Sequence, residues 1–342
     1  MEQRLTFIGF GNVARAFARI LAERRARLEA GYDLTTRTTG IATARHGCIL
    51  ASEIDLCEAA ECVERGQSLT TLPGVVAVDD AFSVIARGEA DVIFETSPLN
   101  PMTGEPAASH IRRALARSLH VVTANKGPLA FAYRELRSLA ADNGARFRFE
   151  GTVMDGAPVF NLVESCLKGV QILGFTGLLN STTNIILSGM EAGQSFDAAL
   201  SDAVRRGIAE ADADYDIDGW DAAVKAVALA NVLMHADARP NDVARVGIRG
   251  ISVEQLRQAS DQGRAIRLLA RGERTASGVR LSVVPEALPL NSPLGAARGA
   301  SNAVTLKTDL MGELTLTEDD PGVAQTAYAL LSDLLRIHSS DK

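Results

Sequence analysis

The chain contains no apolar run near the ~20 residues that a membrane-spanning helix needs, so a membrane partner is not expected. It also lacks any basic block. Its 342 residues carry 35 Lys and Arg against 42 Asp and Glu, a formal net charge of −7, which argues against a nucleic-acid partner. Cysteine is scarce, standing only at Cys48, Cys57, Cys62 and Cys166. None of these has CxxC spacing, so neither a zinc site nor a disulfide framework is expected, and the thiols read as reduced and cytoplasmic. No internal repeat or low-complexity linker breaks the chain. Strand-like sequence begins at residue 4 and leaves no room for a signal peptide. What is abundant is apolar material: 46% of residues are hydrophobic and mean hydropathy is +0.07. At this length that predicts a sizeable core and two domains or one large one.

Residues 4–8, Arg-Leu-Thr-Phe-Ile, read as a short buried strand. Gly9-Phe10-Gly11-Asn12-Val13-Ala14 follows, and then an amphipathic run over residues 16–28. Strand, glycine turn and helix in this order form a dinucleotide-binding fingerprint. Gly9 permits the tight turn. Gly11 lets the backbone approach a pyrophosphate seated on free amides at the helix start, near Asn12 and Val13. Ala14, at the third position, lets the helix pack on the strand.

A second informative stretch lies at residues 209–225. It is crowded with carboxylates, Glu210, Asp212, Asp214, Asp216, Asp218 and Asp221, and then becomes an apolar helical run. Asp221 and Lys225 are four residues apart, which on a helix places both on one face. Two readings stand: a surface ion pair after an acidic loop, or a lysine held beside a carboxylate for proton transfer.

Between these stretches, strands are expected at residues 33–42, 91–95, 120–123 and 146–149, with helices at 107–117 and 131–143. Such alternation implies a parallel sheet covered by helices. After Gly151 the pattern changes. A glycine-interrupted strand at 170–179 and helices at 183–192, 196–206, 222–236 and 253–259 are expected, with later strands at 266–271 and 279–285. The tail, 323–337, is an amphipathic helix that returns to the first domain. The fold class is therefore α/β: a Rossmann-type dinucleotide-binding domain, residues 1–130 with the tail 310–342, plus a second α+β domain, residues 131–309.

In an open parallel sheet, ligands bind at the carboxyl ends of strands. Thr96-Ser97-Pro98 and Thr123-Ala124-Asn125-Lys126-Gly127-Pro128 each follow a strand of the first domain. Lys126 is either a solvated loop cation or a group that meets substrate or nicotinamide. Asn180-Ser181-Thr182-Thr183-Asn184 opens a helix of the second domain. Capping explains one such residue but not five in a row, so polar ligand recognition is expected there. No acid ends the second strand to hold a ribose 2′-hydroxyl. Arg45 either meets a 2′-phosphate, which favours NADP, or is a surface loop cation.

Together these segments resemble homoserine dehydrogenase over nearly the whole chain. The likeness rests on Gly-Phe-Gly-Asn-Val-Ala at 9–14, Asn-Pro-Met-Thr-Gly-Glu-Pro-Ala at 100–107 and His-Val-Val-Thr-Ala-Asn-Lys-Gly-Pro-Leu-Ala at 120–130. Asn-Ser-Thr-Thr-Asn at 180–184 and the acidic stretch at 209–225 complete it. The resemblance implies reversible NAD(P)-dependent interconversion of L-homoserine and L-aspartate 4-semialdehyde, in threonine and methionine biosynthesis. It implies Lys225 as general acid/base, Asp221 as its acidic partner and Lys126 as a catalytic group near the nicotinamide. Glu210, Asp216 and Thr182 match substrate-binding positions. Gly9, Gly11, Asn12, Val13, Arg45, Thr96, Ser97, Lys126 and Gly322 are expected at the coenzyme. Glu150, Val153, Asp155 and Ala157 match a loop that binds a monovalent cation, expected to be sodium, in some members. A homodimer formed through the second domain's sheet is also implied.

Several positions depart from the family pattern. Ser181 stands where glycine is usual, Ala213 replaces a proline, and Asp155-Gly156 is a variant of the cation loop. The short tail leaves no room for the regulatory domain of some members, so feedback through such a domain is not expected. Two other functions fit the same scaffold: a reductase of another amino-acid-derived aldehyde, and a non-catalytic NADP-binding sensor.

Overall fold

In a computed structural model, residues 2–206, 209 and 213–340 are described. Two compact units are present, Met1–Pro158 with Gly322–Lys342, and Val159–Pro321.

The first unit is built on a seven-stranded sheet. Its strands are β1 (Glu2–Ile8), β2 (Thr35–Ala42), β3 (Cys48–Leu50), β4 (Val76–Val78), β5 (Val92–Glu95), β6 (His120–Thr123) and β7 (Phe147–Arg148), in the order β4-β3-β2-β1-β5-β6-β7. The pairs β2–β1–β5–β6–β7 are parallel. β3 and β4 join antiparallel at one edge; short and with weak patterning, they escape a periodicity reading. The sheet continues past residue 130, because β7 pairs with β6 beyond the helices α5 and α6 described below. The chain leaves β1 for β2 on one side and returns to β5 on the other. The carboxyl end of β1 is therefore a topological switch point, the place where such sheets bind ligands.

Helix α1 (Asn12–Tyr32) follows β1 directly. It begins earlier and ends later than the apolar periodicity alone predicts, since no breaker lies in residues 12–15 and Gly31 is tolerated. It buries Ala14, Phe17, Ala18, Leu21 and Leu28. Phe17 lies 4.8 Å from Phe94 and Phe94 stacks on Phe7 at 5.1 Å, ring centre to ring centre. The C-terminal helix, Val323–Ser340, adds Ala327, Leu330, Leu334 and Ile337 to the same core, as the resumed α/β rhythm at the tail predicts. The other face of the sheet is covered by α3 (Ala81–Arg87), α4 (Ala107–Leu115) and α6 (Tyr133–Asp142), whose apolar residues form a second core with Ile8, Ile93 and Val121. α2 (Leu56–Glu64) packs beside α1, and the short α5 (Gly127–Phe131) opens after β6.

The second unit holds a six-stranded sheet of β8 (Ile172–Leu178), β9 (Ala244–Arg245), β10 (Arg264–Thr275), β11 (Gly278–Pro289), β12 (Asn302–Thr308) and β13 (Glu313–Glu318), ordered β13-β12-β8-β10-β11-β9. Every pairing is antiparallel except β11 with β9. The helices are α7 (Val159–Cys166), α8 (Ser181–Glu191), α9 (Phe196–Arg205), α10 (Asp214–Ile217), α11 (Trp220–Leu233), α12 (Val253–Asp261) and α13 (Pro293–Ala296). α8, α11 and α12 pack on the sheet. α11 is apolar nearly all round and is almost wholly buried, which marks an interior helix. Strands β12 and β13 form a hairpin that the sequence reading does not contain.

Candidate active site

Each unit contributes a group of the residues singled out from sequence. In the first unit, Gly9 follows β1 with φ +89°, a conformation open to glycine and strained for other residues. A Cβ there would lie 2.6 Å from backbone atoms of Thr96 and Ser97. The turn after β1 thus touches the turn after β5, and the Thr96 hydroxyl donates to Gly9 O over 2.9 Å. Gly11 precedes α1, whose start has no side-chain cap. A Cβ on Gly11 would meet nothing within 4 Å. Open space over uncapped helix amides, including those near Asn12 and Val13, suits a pyrophosphate. These residues therefore fit the dinucleotide that the fingerprint implies. Arg45 is exposed in the turn that joins β2 to β3.

The turn after β6 is braced from within. Asn125 donates from Nδ2 to Ser97 O over 3.0 Å and accepts from Gly127 N over 2.9 Å. Lys126, half-buried between them, is the residue before α5. Asn125 was not singled out from sequence; its position inside the Thr-Ala-Asn-Lys-Gly-Pro block is the signal for it.

Gly322 is exposed at the start of the C-terminal helix, where its N–H donates to Gln325 Oε1. The expected cation loop docks on this helix. Asp155 accepts from the Thr326 hydroxyl over 2.9 Å, and Glu150 N donates to the buried Asp333 over 2.8 Å. A Cβ on Gly156 would approach Gln325 O to 2.7 Å, which accounts for glycine at this variant position. Val153 and Ala157 are buried. Among the described residues, no three His, Cys, Asp or Glu side chains are grouped to hold a metal.

In the second unit, Asn180 caps α8 and also organises the acids. Its Oδ1 accepts from Thr183 N over 2.8 Å. Its Nδ2 donates to Asp216 Oδ1 over 2.7 Å and to Asp221 Oδ2 over 3.0 Å. Lys225 lies 3.3 Å from Asp221, with only 15% and 10% of the two side chains exposed. Its ammonium also donates to Leu179 O over 2.6 Å. The i,i+4 pair is thus largely shielded from solvent, unlike an exposed surface ion pair. Burial raises the pKa of the Asp216 carboxyl, as does the neighbouring Asp221 charge, against hydrogen bonds from Thr182 and Asn180 and the attraction of Lys225. Tyr215 is also pushed up, chiefly by burial and then by Asp221 and Asp216. Of the other acids, Asp214 and Asp218 pair with Arg249 at the surface. Glu210 lies outside the described residues. Ser181 does not leave its hydroxyl free: it donates to Ala300 O over 2.8 Å.

Sequence comparison matches residues 9–150 to the homoserine dehydrogenase NAD-binding domain and residues 158–335 to the homoserine dehydrogenase family. An NAD(+)-dependent homoserine dehydrogenase of Pseudomonas canavaninivorans is 38% identical, with 99% of this chain and 97% of that protein covered. A homoserine dehydrogenase of Methanocaldococcus jannaschii is 36% identical, over 99% of each chain. A hyperthermophilic archaeal homoserine dehydrogenase solved in complex with NADPH superposes with a TM-score of 0.85 at 29% identity, over 99% of this chain and 98% of that one. The chain belongs to the homoserine dehydrogenase family.

Proposed function

We propose that this chain, an NAD(P)-dependent oxidoreductase acting on a CH–OH group, interconverts L-homoserine and L-aspartate 4-semialdehyde. The observation that carries the site assignment is the half-buried Lys225 ammonium between Leu179 O and Asp221. In the reducing direction, a nicotinamide coenzyme held by the glycine turn would supply the hydride that the semialdehyde carbonyl carbon accepts. Charge then develops on the carbonyl oxygen, and Lys225 gives that oxygen a proton. Asp221 and Leu179 O hold the lysine in orientation. Asp216 and Glu210 bind the substrate ammonium, with Thr182 at the same end. Lys126 contributes a second cation for the substrate and nicotinamide. The reaction serves threonine and methionine biosynthesis.

Coenzyme is held at Gly9, Gly11, Asn12, Val13, Thr96, Ser97 and Gly322. Arg45 selects NADP by pairing with the 2′-phosphate, a role supported by its exposure at the end of β2. A second reading, NAD as the main coenzyme, is favoured by the similarity to the NAD(+)-dependent homoserine dehydrogenase of Pseudomonas canavaninivorans. A sodium ion would rest on Glu150, Asp155 and the carbonyls of Val153 and Ala157. The homodimer forms across β8, β10 and β12, where a hollow is lined by Thr176, Arg271, Glu273 and Thr305. No helix among the described residues is long and apolar enough to cross a membrane.

The non-catalytic sensor and the reductase of another aldehyde are both less favoured, because Lys126, Asp221 and Lys225 all stand and the family match spans both units. The test is homoserine oxidation assayed in parallel with NAD and NADP, with related amino alcohols as controls. Absence of turnover on homoserine with either coenzyme would sink the assignment.

A further inference from the structure

Glu95 ends β5 with no solvent exposure, and His110, on α4, is 5% exposed. A buried carboxylate is costly unless its oxygens are satisfied. Among the described residues no Lys or Arg pairs with Glu95. Its satisfaction comes from four polar groups instead. The Ser97 N–H donates to Oε1 over 3.3 Å and the Ser97 hydroxyl donates to the same oxygen. The Thr123 hydroxyl reaches Oε2 at 3.3 Å while donating to Glu95 O over 2.8 Å. His110 Nδ1 approaches Oε1 at 3.5 Å. A carboxylate accepts at both oxygens without donating, which suits this set of donors.

The partners of Glu95 lead to the turns that carry the coenzyme residues. Ser97 is one of those residues, and its carbonyl holds Asn125. Thr123 accepts from Asn125 N over 3.0 Å, and Asn125 in turn holds Gly127 N, on the far side of Lys126. Next to Ser97, the Thr96 hydroxyl grips Gly9 O.

We infer that Glu95, with His110 as its buried partner, is a positioning residue for the coenzyme: acting through Ser97 and Thr123, it fixes the turns after β5 and β6 in register with the glycine turn. This rests on the proposed role of those turns in binding NAD(P). The substitution Glu95→Gln keeps the volume but replaces one accepting oxygen with an amide donor, which beside Ser97 would face a main-chain N–H that can only donate. It should weaken coenzyme binding and raise coenzyme KM about tenfold, while homoserine KM stays within about twofold. Glu95→Asp, which keeps the charge, should recover part of the loss.

Coenzyme titration and thermal melting of the wild type, E95Q, S97A and the E95Q/S97A pair test this. Because Glu95 acts partly through Ser97, the two single losses should combine to less than their product. Wild-type coenzyme affinity in E95Q, or fully multiplicative losses in the pair, would overturn the inference while leaving the coenzyme site in place. A wild-type chain that binds neither NAD nor NADP would instead overturn the coenzyme reading itself. If E95Q does not fold, T123V carries the test: it should raise coenzyme KM several-fold with homoserine KM within about twofold. Equal changes in both KM values would reject the positioning role.

Discussion

The Lys225 ammonium donates to the main-chain oxygen of Leu179 over 2.6 Å. Leu179 immediately precedes Asn180, so the lysine is bonded directly to the backbone of the loop proposed to hold substrate. The same loop, through Asn180, joins the two inward carboxylates of the acidic stretch. Lysine, acids and loop are therefore one hydrogen-bonded unit, and a change in one is felt by the others.

Lys225→Ala should lower kcat by about a hundred- to ten-thousandfold, the range for loss of a positioned proton donor. Coenzyme affinity should stay near wild type. Lys225→Arg should also fail, because guanidinium keeps its proton at neutral pH. Steady-state rates with a parallel coenzyme titration check this; a K225A chain that turns over normally removes Lys225 from the chemistry.

Asp216 gives a pH prediction. Its pKa is raised in the folded chain, by burial first and by Asp221 second. The sign for stability follows: the contribution of Asp216 is present at low pH and is lost as pH rises through the raised folded value. Homoserine binding runs the other way, because the substrate ammonium pairs with the ionised form. Homoserine KM should rise as pH falls, with a limb above the ordinary aspartate value of about 3.9. Asp216→Asn should raise KM near neutrality, remove that limb and leave the melting temperature at neutral pH no lower. An unchanged limb in D216N would exclude Asp216 as its source.

The two glycines of the fingerprint should respond differently to alanine. Gly9→Ala places a Cβ against Thr96 and Ser97 and forces a positive φ, so it should destabilise the fold by about 1–3 kcal/mol. Gly11→Ala meets no protein atom within 4 Å, so its melting temperature should match wild type while coenzyme affinity falls about tenfold or more as the Cβ enters the pyrophosphate's space. Thermal melts and coenzyme titrations separate the two, and equal melting losses would refute the distinction.

Arg45→Ala should raise KM for NADP about tenfold and leave KM for NAD within about twofold. Parallel initial rates with both coenzymes measure this. Equal effects, or none, would remove Arg45 from the choice between the two coenzymes.

Much of the candidate site's local geometry was legible because its signals are local. Strand, glycine turn and helix lie within one short segment, and the Asp221–Lys225 pair is set by helical spacing. Lysine is itself a signal: the chain draws most of its positive charge from arginine and places lysine only at 126, 168, 225, 307 and 342. The edge strands β3 and β4 and the hairpin β12–β13 were not legible, since short or mixed strands carry little alternation and depend on their neighbours in the sheet. Glu95 also escaped notice, because an acid ending an apolar strand looks like an ordinary exposed terminus.

The sequence by itself determined the element types, the glycine turn and the lysine–aspartate spacing, because each depends on residues within a turn or two of one another. Only the tertiary structure decided which acids face inward. Asp214 and Asp218 go to Arg249, more than thirty residues away in sequence, whereas Asp216 and Asp221 go to Asn180. It likewise decided that Glu95 is buried and that Ser181 is tied to Ala300. Side-chain partners across such separations are set by packing and by the need to satisfy buried polar groups, and no local period encodes them.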